Sequence, residues 1–156
     1  MQRILTLLAS LAITFGIAFV GSYFTAGSVD TWYNTLNKPA LNPPSWIFGP
    51  VWTLLYALMA IAAWRVYERR NSYVPARSLL GVYAIHLVVN ALWSFAFFGQ
   101  QSPEWALAVI AVLWLMIVYL AFNFYRADRV AGWMLAPYLA WVSFASYLNL
   151  SIVLLN

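Results

Sequence analysis

The sequence has no cysteine. That removes disulfides, thiolate metal sites, iron–sulfur clusters and cysteine nucleophiles. Charge is almost as scarce: 8% of the 156 residues are Asp, Glu, Lys or Arg, against about 25% in an ordinary soluble domain. The four acids, Asp30, Glu68, Glu104 and Asp128, all fall at the ends of apolar stretches or between them. No carboxylate pair lies inside one, which argues against acid–base hydrolysis and against a proton-coupled carrier. A single histidine, His86, stands alone, with no second histidine to complete a metal or haem site. Phosphate-binding glycine loops, dinucleotide-binding patterns and zinc-hydrolase motifs are missing. Low-complexity segments are missing too, and so are internal repeats, which weakens a secondary-transporter reading.

What is present is apolar. The chain is 65% hydrophobic and 19% aromatic, with mean hydropathy +0.79. Crossing a bilayer takes about 20 apolar residues per helix, and five stretches qualify, at roughly 4–24, 46–66, 79–98, 105–125 and 131–154. They use up the chain, so residues 1–156 are expected to form one domain, an all-α integral membrane bundle of five helices. The first stretch follows Arg3 and runs without a charge from Ile4 to Val20. It exceeds the roughly 7–15 apolar residues of a secretory signal and has no clear small-x-small cleavage site behind it, which favours a retained helix.

Five spans place the N-terminus and the second and fourth loops on one side. That side carries Arg3, Arg65, Arg69, Arg70, Arg77, Arg126 and Arg129, whereas Lys38 is the only basic residue on the other. The positive-inside rule then predicts a bacterial inner-membrane protein with a cytoplasmic N-terminus, its first loop and C-terminus on the opposite side. Arginines so placed flank helices and touch lipid headgroups; they do not suggest nucleic acid as a partner.

The segment Trp32–Trp52 is the most distinctive. Pro39, Pro43, Pro44 and Pro50 stiffen it, and Trp32, Trp46 and Trp52 give it flat apolar faces with N–H donors. Such a loop is built as a lid rather than a tether. Trp52 and Tyr56 lie four apart and share a helix face just beneath it. Tyr83, His86, Asn90 and Ser94 form a polar stripe on the third span, which must turn inward. It reads either as a cavity wall or as hydrogen bonding that holds the bundle together. On the first span, Ser10, Thr14, Ala18 and Ser22, with Ala12 and Gly16, permit close helix contact, within the bundle or in a dimer seam. Pro137 is expected to bend the fifth span beside Trp141.

The run Trp32-Tyr33-x-x-Leu36-x-Lys38-Pro39-x-x-Asn42-Pro43-Pro44, followed by Trp46 and Val51-Trp52-x-x-Leu55-Tyr56, resembles the tryptophan-rich sensory protein/translocator protein family (TspO/MBR, also called the peripheral benzodiazepine receptor). Asn90-x-x-Trp93-Ser94-x-x-Phe97-Phe98-Gly99 and Pro137-Tyr138-x-x-Trp141, continuing to Asn149, fit it as well. The resemblance spans the whole chain. It implies a five-helix bundle, commonly a homodimer, with a ligand cavity under the first loop. The implied ligands are protoporphyrin IX or a haem-like tetrapyrrole and lipophilic benzodiazepine-site compounds, with no required cofactor. Carried over by position, the cavity residues are Tyr33, Trp46, Trp52, Asn90, Trp93, Trp141 and Ala145, with Tyr56 and His86 as further lining candidates. Trp52 and Trp141 match the tryptophans that the family associates with light-dependent porphyrin breakdown. The resemblance thus leaves three roles open: sensing, degrading or transporting the ligand. The cholesterol pattern of animal members is absent late in the fifth span, where nothing basic follows Tyr147. A formal match occurs instead at Leu120, Tyr125 and Arg129, a weak class of motif.

Overall fold

The computed structural model describes residues 1–156. Helix α1 spans Gln2–Ser28, a single turn α2 covers Trp32–Thr35, and a 3-10 turn at Ser45–Ile47 leads into α3, Phe48–Glu68. Helix α4 runs Ala76–Ser94 and continues as a π-turn over Phe95–Gly99; α5 is Pro103–Ala127, α6 Arg129–Met134 and α7 Ala136–Leu155. Together they make five rods long and apolar enough to cross a membrane: Gln2–Ser28, Ser45–Glu68, Ala76–Gly99, Pro103–Ala127 and Arg129–Leu155. The protein is an all-α, integral membrane five-helix bundle. The rods overrun most of the stretches read from hydropathy by a few residues, because an apolar run stops at the first polar side chain whereas the helix continues into the headgroup layer.

Only 38 of the 156 residues are buried, so most of the apolar surface faces outward. Leu8, Phe19, Leu115, Phe122 and Leu150 are among the large side chains left exposed, and in a bilayer lipid covers them. The inward faces form a core around Met59, Leu87, Ile117, Phe124 and Val142, each without solvent contact. Most of the small residues of α1 face that core. Ser10 donates to the Ala60 carbonyl at 2.7 Å, and the Thr14 and Tyr83 hydroxyls meet at 2.8 Å. Gly21 lets α4 approach so closely that an added Cβ would sit 3.2 Å from Ser94 Oγ. Ala12 and Gly16 face outward, with nothing within 4 Å of a Cβ placed on Gly16.

The fifth rod is broken, though not where Pro137 was expected to act. The interruption falls at Leu135, between α6 and α7, more than a turn before Trp141. Pro137 occupies the first turn of α7, where a missing N–H leaves no backbone bond unmade and the fixed φ suits the helix. Local signals set the other boundary. Asp128 caps α6 by accepting from the Ala131 N–H at 3.0 Å. Gly132 then presses α6 against α5: a Cβ there would lie 2.4 Å from Tyr125 Cβ and 2.5 Å from its Cα.

Candidate functional site

The first loop folds as a lid pinned at several points. Its centre is Tyr33, 4% exposed, whose hydroxyl donates to Asn42 Oδ1 at 2.7 Å. Burial pushes the Tyr33 phenol above its ordinary value of 10.0, and the Asn42 hydrogen bond opposes this only in part; the group therefore stays protonated and donating. Its ring packs against Phe98 at 5.8 Å and Phe48 at 6.4 Å between centroids. Lys38 folds back so that Nζ donates to the carbonyls of Tyr33 at 2.8 Å and Leu36 at 3.1 Å, and it sits 4.9 Å from the Tyr33 ring centroid. A segment with four prolines has few internal backbone bonds, and this ammonium satisfies carbonyls that a helix would have satisfied. Asn37 joins the loop to the end of α7: its N–H donates to Asn156 Oδ1 at 3.0 Å, and Asn156 Nδ2 returns a bond to the Asn37 carbonyl at 3.0 Å.

Beneath and beside the lid lies a cavity of about 970 Å³, bounded by α1, α3, the end of α4 and α7. Of its 26 lining residues 17 are hydrophobic, so it suits an apolar ligand with few polar groups. Trp52 stacks on Tyr56, with centroids 5.4 Å apart and planes 29° apart. Trp141 meets Phe48 edge-on at 6.1 Å, and its indole Nε1 is a buried side-chain polar atom with no hydrogen-bond partner. Trp93 stacks on Phe97 at 5.4 Å and donates Nε1–H to Asn149 Oδ1 at 3.1 Å. The π-turn adds a residue to the helix before Gly99, closing with a bond from the Gln100 N–H to the Phe95 carbonyl. Phe97 and Phe98 on this turn both pack against Tyr33, so the π-turn carries the aromatic seat of the lid.

The structure sorts the residues singled out in the sequence. Tyr33, Trp52, Tyr56, Trp93, Trp141 and Ala145 all line this one cavity. Trp46 lines it too, but from the rim, with 73% of its surface exposed. Asn90 and His86 do not reach it. Both are buried behind Tyr56, where their polar atoms are consumed. Tyr56 donates to Asn90 Oδ1 at 2.8 Å, and Asn90 Nδ2 donates to the Tyr138 hydroxyl at 2.7 Å. The Tyr138 hydroxyl bonds His86 Nε2 at 2.8 Å, and His86 Nδ1 faces the Tyr83 carbonyl at 3.3 Å. A carbonyl only accepts, so the imidazole proton sits on Nδ1 and Nε2 accepts from Tyr138. The polar stripe of the third span is therefore interhelical hydrogen bonding over most of its length. Of its members, only Ser94 touches the cavity.

The family model described as TspO/MBR matches residues 9–155. The chain belongs to the TspO/MBR family. It is 41% identical over 155 residues to the tryptophan-rich protein TspO of Chlorobaculum tepidum, covering 99% of this chain and 98% of that one. The tryptophan-rich sensory protein of Cereibacter sphaeroides is 40% identical over 150 residues, 94% of this chain and 92% of the relative. The translocator protein of Bos taurus is 34% identical over 145 residues, 92% and 83% of the two chains.

For a TspO/MBR protein of this geometry, motif positions alone leave out much of the site. Phe48, Phe97 and Phe98 shape the lid and the upper wall, although the last two were already visible in the motif beside Gly99. Tyr138, 1% exposed, is the node of the buried network; its place one turn before Trp141 was the available signal. Asn149 supports Trp93 on one side and donates to the Pro103 carbonyl at 2.8 Å on the other. The formal cholesterol pattern does not form one surface, since Leu120 is 1% exposed and faces the core while Tyr125 and Arg129 face outward.

Proposed function

We propose that this protein is a membrane receptor that holds a tetrapyrrole of the protoporphyrin IX type, or a related flat lipophile, in the cavity beneath the first loop, and that occupancy of the cavity is the signal it transmits. The observation that carries this is the convergence of Trp52, Trp141, Trp93 and Tyr33 on one apolar space of about 970 Å³. That volume lies at the upper end of ordinary ligand pockets, about 300–1,000 Å³. Aromatic walls favour a large π-system, each ring contact adding about 0.5–1.5 kcal/mol beyond area burial. The arginine-rich end of the bundle supports a cytoplasmic N-terminus in a bacterial inner membrane, with the lid on the far side. The outward Ala12 and Gly16 offer a seam for a homodimer.

Titration of the purified protein with protoporphyrin IX tests the binding. Saturable quenching of tryptophan fluorescence is expected, weakened at least tenfold when Trp52 and Trp141 are both changed to Phe. Unaltered quenching in that double variant would remove both residues from the site.

A second reading is favoured by one observation: the two tryptophans of the proposed photochemistry, Trp52 and Trp141, face the same cavity. In this reading light-excited porphyrin, oxygen and indole carry a photo-oxidative breakdown of the ligand. Illumination should then bleach bound porphyrin faster with the protein than with the Trp52/Trp141 double variant, and equal rates would refute it.

A further inference from the structure

At the end of the bundle away from the lid, α3, α5 and α6 border a second, open concavity of about 600 Å³. Arg65, Arg69, Arg126 and Arg129 line it, with Asp128 as the only acid. Four guanidinium groups against one carboxylate leave three positive charges uncompensated. The carboxylate is already saturated: it accepts from Nε and Nη2 of Arg65 at 3.0 Å each, from Nη2 of Arg69 at 3.3 Å and from the Ala131 N–H at 3.0 Å. Its side chain is 5% exposed, whereas that of Arg69 is 54% exposed. Arg126 and Arg129 make no ion pair. They lie over aromatic rings instead, 5.9 Å from the Phe122 centroid and 6.0 Å from that of Tyr125.

Four guanidinium groups on one groove, two of them with no carboxylate partner, are suited to a phosphate group. Two further observations select a lipid over a soluble phosphate. The groove lies where α3 and α5 end, level with the headgroup layer of a membrane that these helices cross. An apolar face leads away from it toward the bilayer centre. Phe122, one turn before Arg126, and Trp133, one turn after Arg129, are 63% and 69% exposed, with Val130 between them. We propose that this groove is a binding site for the headgroup of an anionic phospholipid, whose acyl chains lie along Phe122, Val130 and Trp133. The site is separate from the aromatic cavity and does not depend on what that cavity holds.

Native mass spectrometry of the full chain, released from phosphatidylcholine nanodiscs doped with phosphatidylglycerol, tests this. The wild type is expected to retain one phosphatidylglycerol in preference to phosphatidylcholine. The R126Q/R129Q double variant should bind it about thirtyfold more weakly, at about 1 kcal/mol for each basic residue near the surface. Neither arginine is ion-paired and each lies at the outer limit of cation–π range, so the melting temperature should fall by no more than a few degrees. Arg77→Gln, which removes a charge at the same end but outside the groove, should leave retention unchanged. Equal retention by the double variant overturns the site. So does an equal loss in Arg77→Gln, which would mark diffuse surface attraction. Saturable binding of inorganic phosphate, lost in the double variant with no preference among lipids, would also overturn it in favour of a soluble ligand.

Discussion

Tyr56 lines the aromatic cavity with its ring and donates its hydroxyl to Asn90 at 2.8 Å, on the side away from the cavity. One residue thus belongs both to the wall and to the buried network Tyr56–Asn90–Tyr138–His86 that stands behind it. Asn90→Leu should therefore act on stability before it acts on binding. It strands the Tyr56 hydroxyl in the core, at about 1–3 kcal/mol for the unmade bond, and takes the Asn90 donor from Tyr138, whose hydroxyl keeps its bond to His86. The expected result is a clear fall in the melting temperature with protoporphyrin IX affinity changed only a few-fold, read by fluorescence quenching at a temperature where the variant is folded. A loss of affinity with full stability would move Asn90 into the cavity.

That distinction was not visible in the sequence. Spacing of three, four and four puts Tyr83, His86, Asn90 and Ser94 on one helix face and requires that face to turn inward. Inward, however, means toward Tyr138 for His86 and Asn90 and toward the cavity for Ser94. Which neighbour stands opposite depends on how the helices are rotated and staggered, and no local pattern encodes that. The lid was legible because proline and tryptophan act locally, through fixed φ and flat side chains. Its fastenings were not: the bonds between Asn37 and Asn156 cross 119 positions of sequence. The break at Leu135 was missed for a related reason, since a proline is most easily accommodated in a first turn and the helix restarts to place it there.

Lys38 is expected to govern how fast the lid opens. Its ammonium bonds two loop carbonyls at 2.8 and 3.1 Å, and Lys38→Met keeps the stem while removing those bonds. Hydrogen bonds to a charged group contribute about 1.5–3 kcal/mol, and partial exposure here favours the lower figure. Amide exchange in residues 31–44 should then quicken about tenfold, and ligand dissociation with it, while the global melting temperature barely moves. Unchanged exchange would show that proline stiffness alone holds the loop.

The buried N–H of Trp141 has no partner, and it is closed off by its neighbours, so it offers nothing to a ligand in the cavity. The indole face contributes instead, at about 0.5–1.5 kcal/mol for an aromatic contact. Trp141→Phe keeps an aromatic wall and removes the stranded donor. Affinity for protoporphyrin IX and for its dimethyl ester should therefore fall by the same few-fold factor. A loss confined to the free acid would show that the N–H reaches the ligand's carboxylate.

Asp128 should make the arginine-rich end of the bundle sensitive to acid. Burial pushes its carboxyl up, but the hydrogen bonds from Arg65, the Ala131 N–H and Arg69, with the charge of Arg65, outweigh this and hold it below the ordinary 3.8. A folded-state value below the unfolded one means that the stabilisation is fully present above the unfolded value. It is lost as the pH falls through the folded value. Melting temperature measured in nanodiscs should therefore drop on acidification from pH 5 toward the point where this carboxyl takes up its proton. In Asp128→Asn the cap on α6 is weakened and the ion pairs to Arg65 and Arg69 are gone, so the protein should start less stable at pH 7 and lose less on acidification. A wild type and variant whose acid profiles run parallel would place the pH sensitivity elsewhere.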